Sequence, residues 1–105
     1  MMLLTKKDRK ALPALYAQEK LGGQAVAYVK FFTPWSNWTW WITELDPDTG
    51  EMFGLVEGFE TELGYFMLSE LESIVGPMGL KIERDRSWKP KTLAEICPSK
   101  FGGKN

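Results

Sequence analysis

The sequence contains no histidine and a single cysteine, Cys97. Without histidine the chain lacks the side chain that titrates near neutral pH and that most often acts as a general base or activates a Ser or Cys nucleophile. One cysteine excludes an internal disulfide, and the Cys/His framework of a zinc site is missing. We therefore expect a protein that is not an enzyme and binds neither metal nor cofactor, in which Cys97 is a small buried hydrophobic residue.

Long apolar runs are missing as well. No segment has the ~18 consecutive apolar residues of a membrane span, and the apolar start of MMLLTKKDRK is too short for a secretory signal. The expected location is the cytoplasm, without a membrane partner. With 105 residues and 44% hydrophobic content, the chain suffices for one domain, residues 1–105, but not for two. Its polar end, residues 99–105, is predicted to fray.

Positive charge is missing from the middle of the chain. Residues 31–80 contain no Lys or Arg and nine acids, for a charge of −9, whereas residues 1–30 and 81–105 each carry +4. The nine acids are Glu44, Asp46, Asp48, Glu51, Glu57, Glu60, Glu62, Glu70 and Glu72. Two arrangements are compatible with this pattern: an acidic face opposite a basic face, or ends that fold over the middle and neutralise it.

Local signals predict short helices on either side of a group of strands. Helix starts are indicated by three capping patterns: Thr5 with Asp8, Ser69 with Glu72, and Thr92 with Glu95. Pro13 is expected to break the first helix near Leu12.

β-Forming residues dominate the segments 25–32, 37–45 and 51–59. DPDTG, residues 46–50, predicts the turn of a hairpin, TELG is expected to form the next turn, and YFML and KIERD are read as short strands. The predicted fold is α+β: a small single domain in which an antiparallel β-meander of three to five strands is packed by two or three short helices. Gly54, Gly58 and Gly64 interrupt the strand pattern and indicate bulges, close backbone approaches or turns.

Four of the five tryptophans lie between residues 35 and 41. Strand alternation places Trp38 and Trp40 on one face with Ile42, where core packing is expected, and Trp41 on the other face together with Leu45. Both faces are substantially apolar, so we expect some aromatic area to be exposed, bound by a partner or buried in a homodimer. Trp35 and Trp41 are the predicted partner contacts.

Two groups of charged residues are candidates for binding. The acidic contacts expected beside these tryptophans are Glu44, Asp46, Asp48, Glu57, Glu60 and Glu62. Three of these, Glu57, Glu60 and Glu62, also allow the alternative of a carboxylate or metal site. The segment KIERDRSWKPK suggests phosphate contacts with base stacking, for which the candidates are Arg84, Arg86, Trp88, Lys89 and Lys91.

Several separate blocks of the sequence resemble one known family. Over residues 4–96 the chain resembles, block by block and in the same order, the uncharacterised bacterial family named domain of unknown function 2958. The blocks are LYAQE, YVKFFTPWSNWTWW, FGLVEGFETELGYFMLSELESI, GPMGLKIERD and WKPK. The resemblance implies no activity and no catalytic residues. It implies a small protein carried on plasmids, integrative elements and phages, beside genes for anti-restriction and transfer functions.

These observations lead to three functional hypotheses. The first is a non-enzymatic protein of a mobile genetic element that binds a host or element-encoded protein complex. It would inhibit a nucleic-acid-targeting defence system, of the CRISPR or restriction type, by placing carboxylates in its basic channel. The second is a nucleic-acid-binding accessory protein that uses the basic ends and Trp88. The third, which we favour least, is a carboxylate or metal-dependent enzyme.

Overall fold

A five-stranded antiparallel sheet with the strand order β5-β4-β3-β2-β6 forms the centre of the computed structural model, which describes residues 3–101. Strands β1 and β7 form a second, two-stranded sheet. The strands are β1 Val26–Ala27, β2 Val29–Phe32, β3 Thr39–Leu45, β4 Glu51–Glu57, β5 Thr61–Met67, β6 Glu83–Arg84 and β7 Lys91–Thr92. The helices are α1 Lys6–Ala11, α2 Leu68–Ser73 and α3 Leu93–Ile96, with 3₁₀ turns at Glu19–Gln24 and Pro77–Gly79. The predicted α+β class, a small single domain, is confirmed.

Two of the three predicted capping boxes are present. Thr5 caps α1 through Asp8, and Thr92 caps α3 through Glu95. Hydrogen bonds from the backbone and side chain of Thr92 lower the pKa of Glu95. The prediction for α2 is wrong by two residues, because the N–H of Met67 donates to Glu70 at 3.1 Å and the helix begins at Leu68.

Of the two predicted hairpin turns, the structure contains the first and places the second elsewhere. At the predicted DPDTG turn, the Gly50 N–H donates to the Asp46 carbonyl at 2.8 Å, and Gly50 has the positive φ of 83° that glycine tolerates best. TELG, by contrast, is not a turn. The chain reverses earlier, where the Gly58 N–H donates to the Glu60 carbonyl, and TELG begins strand β5.

The predicted first strand, residues 25–32, is divided at Tyr28. Before that residue β1 pairs with β7, whereas after it β2 pairs with β3 and β6. The break sends one short strand into each sheet, which a propensity pattern cannot distinguish from a continuous strand.

A β-bulge reverses the faces of the sheet to which the last side chains of β3 point. The β3–β4 register shifts between Ile42 and Glu44, and Thr43, Glu44 and Leu45 are consecutively buried. Leu45 therefore packs with Trp40 and Ile42 rather than on the face of Trp41, where strict alternation placed it. The predicted faces are wrong from the bulge onward.

Two hydrophobic clusters lie on opposite sides of the main sheet. The larger contains Phe31, Trp40 and Ile42, and Trp40 is only 6% exposed, as predicted, while Trp38 is half-buried against it. The smaller cluster comprises Ala25, Ala27, Leu55 and Leu93, and half-buried residues pack around it.

The C-terminal segment packs against this smaller cluster. Cys97 is half-buried there, so the prediction that it is buried is wrong. Phe101, which the sequence assigned to a fraying end, also packs against the cluster. Residues 102–105 of that predicted end lie outside the described residues. None of the helices within residues 3–101 has the length and apolarity required to cross a membrane.

An ion pair joins α1 to the edge strand β6. Nη2 of Arg84 donates to Oδ1 of Asp8 at 2.9 Å, and Nη1 of Arg84 contacts Oδ2. Burial by itself raises the pKa of Asp8, but hydrogen bonds from Arg84 and Thr5 outweigh burial and hold this pKa below 3.8.

Asp8→Asn is expected to lower the free energy of unfolding by about 1 kcal/mol near neutral pH. Since the pKa of Asp8 is lower in the folded than in the unfolded chain, its contribution is fully present above the unfolded pKa and is lost as the pH falls through the folded pKa. Urea unfolding of both proteins at several pH values between about 7 and about 3 measures this difference. Asp48→Asn, in an exposed turn, is the control, and a pH-independent difference for Asp8→Asn would contradict the prediction.

Candidate functional site

The turn between β4 and β5 presents an exposed aromatic ring. We call residues 57–62 the hairpin tip. Phe59 is 94% exposed, and its ring is nearly perpendicular to the Trp38 ring at a centroid distance of 5.4 Å. Gly58 lies directly against the same indole, since a Cβ at that position would be 2.5 Å from it. The Trp38 indole therefore packs against the turn at Gly58, while Phe59 faces the solvent.

Three carboxylates flank Phe59 in the sequence. Glu57, Glu60 and Glu62 are all exposed, and the ion pairs formed within residues 3–101, Lys30 with Asp85 and Arg84 with Asp8, involve none of the three. In the same part of the chain no three His, Cys, Asp or Glu side chains are placed to hold a metal ion. The three glutamates thus combine negative charge with an apolar ring and do not form the metal cluster considered as an alternative.

The other predicted acidic contacts do not join the hairpin tip. Asp46 and Asp48 lie at the opposite end of β4, about 20 Å away at the usual rise per strand residue. Glu44 is 2% exposed. The expectation that Glu44 belongs to an exposed acidic surface is wrong, and the six acids occupy three separate places.

Glu44 instead fastens a loop to the sheet. Its Oε1 accepts the N–H of Tyr16 and its Oε2 accepts the N–H of Gln18, each at 2.7 Å. The Gln18 side chain continues the network by donating to the carbonyls of Thr43 and Val26, both at 2.9 Å, and accepting the Val26 N–H. The bulge in β3 turns Glu44 toward this loop, and no local sequence signal predicted that contact.

A small pocket lies between this loop and strands β4 and β5, above Glu44. Its volume is about 210 Å³. Tyr65 lies between Phe53 and Tyr16, at ring centroid distances of 4.8 and 6.2 Å. Partial burial, the Tyr16 side chain, and the negative charges of Glu19 and Glu44 raise the pKa of Tyr65. Sequence reasoning missed this site, because its rings come from segments that only the fold brings together.

The two tryptophans predicted to contact a partner are both half-buried. Trp35 packs on Gly76, where a Cβ would be 2.5 Å from its ring. Trp41 packs against the smaller cluster, and its buried indole N–H has no acceptor among the described residues. Their predicted role in partner binding remains a prediction, and the more exposed aromatic residue of this region is Phe59.

The basic segment is partly occupied by internal contacts. Arg84 is engaged with Asp8, and Nε1 of Trp88 donates to the Ala27 carbonyl at 3.0 Å. Lys91 lies over the Trp88 ring, 5.5 Å from its centroid, and Lys30 lies over the ring at 5.7 Å. The candidates whose side chains remain exposed are Arg86, Lys89 and Lys91. Trp88 is half-buried in a structural position, whereas the sequence alone suggested a ring available for stacking.

Comparison with known proteins identifies a family without an assigned activity. The family model described as "Protein of unknown function (DUF2958)" matches residues 3–96. No curated protein and no solved structure matches the sequence significantly.

Proposed function

Since this chain belongs to the DUF2958 family of proteins of unknown function, we propose from its surface that it is a non-enzymatic protein that binds another protein through the hairpin tip. The observation that carries the proposal is Phe59, a 94% exposed phenylalanine at the end of the β4–β5 hairpin. Burying such a side chain in an interface contributes about 1.5–3 kcal/mol. Aromatic side chains that enter a pocket of the partner are among the residues that dominate binding energy.

The charge of the hairpin tip defines the partner surface that would fit it. Glu57, Glu60 and Glu62 lie within three residues of Phe59 in the chain, are exposed, and form no ion pair among residues 3–101. A basic surface with an apolar recess would complement both properties, because opposite charges accelerate the encounter and the ring supplies the anchor.

Proteins that handle nucleic acid offer such a surface, since their Lys- and Arg-lined channels bind phosphates. We therefore propose a CRISPR or restriction effector complex as the partner. In this proposal a mobile genetic element uses the protein against host defence, and the glutamates occupy positions otherwise taken by phosphates. The acidic tip supports this choice of partner by charge complementarity.

Phe59→Ala is expected to weaken the complex with such an effector at least about tenfold, the effect of removing a central aromatic contact. Its free energy of unfolding should change by less than about 0.5 kcal/mol, because the removed ring is exposed. Co-purification and titration with purified effector complexes, at low and high salt, measure the binding.

Met78→Gln is the matched control, since Met78 is 99% exposed but lies outside the hairpin tip. It should bind as the unchanged protein does. The proposal fails if no effector complex binds at any salt concentration, or if both substitutions weaken binding equally. Concentration-dependent dimerisation that Phe59→Ala abolishes would assign the hairpin tip to a second copy of the chain instead.

The exposed cations Arg86, Lys89 and Lys91 support a second candidate function, direct nucleic-acid binding. It predicts affinity that falls steeply as salt increases, and a shallower salt dependence when Lys89 and Lys91 are replaced by Gln. Gel-shift titrations at several salt concentrations test it. Absence of binding near 50 mM salt, roughly the low end of the range where phosphate contacts dominate, would exclude this function.

A further inference from the structure

The pocket above Glu44 combines a buried carboxylate with aromatic walls. Each Glu44 oxygen accepts one backbone N–H, which leaves each with further capacity to accept a hydrogen bond. The two ion pairs within residues 3–101 both involve other acids. A buried carboxylate is most stable with a cation beside it, and the described chain does not provide one.

Three aromatic side chains are among those that line this pocket. Tyr16, Phe53 and Tyr65 form a continuous series in which neighbouring ring planes are inclined by 56°. The faces of aromatic rings are electrostatically negative, so a group of such faces attracts cations. Glu19 also lines the pocket and adds a second carboxylate. Rings and carboxylates therefore favour the same sign of charge in a ligand.

The backbone at one wall is held in an unusual conformation. Tyr16 has φ of 73°, in the left-handed region that favours glycine and is uncommon for a bulky residue. The hydrogen bond from its N–H to Glu44 holds it there. Tyr16 is 60% exposed to solvent, and its ring lies 6.2 Å from that of Tyr65. Strained residues of this kind concentrate at binding sites, where the fold maintains them at a cost.

We propose that this pocket binds an organic cation that carries N–H donors, namely an alkylammonium or guanidinium group. Its volume, about 210 Å³, is below the ~300 Å³ of the smallest typical ligand sites, so it suits one side-chain-sized group and not a cofactor. The N–H donors would bond the remaining lone pairs of Glu44 while the rings surround the alkyl or planar part. Two sources share this chemistry: a free amine, and the Lys or Arg side chain of a protein.

Nuclear magnetic resonance provides a direct readout, because the amide N–H groups of Tyr16 and Gln18 donate to Glu44. The probes are n-butylammonium and a blocked Ala-Lys-Ala peptide, titrated at constant ionic strength. Their neutral counterparts, n-butanol and the same peptide with norleucine, are the controls. We expect saturable shifts of both amides with the cations and not with the neutral molecules.

The relative affinity of the two cations identifies the source. Tighter binding of the peptide would assign the pocket to a partner's side chain, and tighter binding of butylammonium would assign it to a free amine. Either result supports the cation site. Equal shifts with the neutral probes, or no saturable shift with either cation, would overturn it.

Tyr65→Leu tests the role of the rings without removing Glu44. Because Tyr65 is 49% exposed, this variant should remain folded, and its dissociation constant for the cations should rise about three- to fivefold. Phe59→Leu is the matched control and should leave cation affinity unchanged, since Phe59 packs on Trp38 outside this pocket. The site does not depend on the function proposed for the hairpin tip, so either proposal can fail alone. Equal affinity of Tyr65→Leu and the unchanged protein would contradict the proposed aromatic wall.

Discussion

Gly54→Ala is expected to unfold the protein or to lower its free energy of unfolding by about 3 kcal/mol or more. A Cβ at Gly54 would lie 2.9 Å from the carbonyl carbon of Trp41 and closer still to its oxygen, and 3.1 Å from Cα of Ile42. These are backbone atoms of the neighbouring strand, next to the bulge, and cannot move aside as a flexible side chain does. The strands would have to separate at the centre of the sheet. Chemical denaturation followed by tryptophan fluorescence measures the loss.

Gly64→Ala is the matched control, because Gly64 pairs with Gly54 across β4 and β5 and a Cβ there meets nothing within 4 Å. This substitution should be neutral or stabilise the fold by about 0.5 kcal/mol, through the reduced freedom of the unfolded chain. Equal destabilisation by both substitutions would show that loss of glycine, and not the close approach to Trp41, causes the effect.

Glu44→Ala is expected to lower the free energy of unfolding by about 3 kcal/mol. The substitution leaves the N–H groups of Tyr16 and Gln18 without their acceptor, at a site where Glu44 is 2% exposed. It also removes the contact that holds Tyr16 in its left-handed conformation. The loop from Tyr16 to Val26 should then detach before the sheet unfolds.

Hydrogen exchange separates this local effect from global unfolding. In Glu44→Ala the amides of Tyr16 and Gln18 should exchange much faster relative to those of β3 than in the unchanged protein. Glu57→Ala, an exposed acid at the hairpin tip, should change stability by less than about 0.5 kcal/mol. A similar small effect of Glu44→Ala would refute the structural role assigned to its carboxylate.

Part of the candidate site followed from sequence reasoning and part did not. The acids at positions 57, 60 and 62 and an exposed aromatic surface in the middle of the chain were expected. The aromatic residue was misplaced, however, because Trp35 and Trp41 are half-buried and Phe59 is exposed. The reason is the position of the chain reversal: with the turn at Gly58 to Glu60 instead of TELG, Phe59 lies at the end of a hairpin.

Features that depend on neighbours a few residues apart follow from the sequence alone. The capping boxes at Thr5 and Thr92 and the Asp46–Gly50 turn are closed by contacts over three or four residues. The three-dimensional fold establishes which residues meet across long separations. It pairs Arg84 with Asp8, 76 residues away in the chain. Through one bulge it also buries Glu44, which the sequence predicted to be exposed. Strand register alone assigns side chains to faces, and a single extra residue reverses that assignment for everything after it.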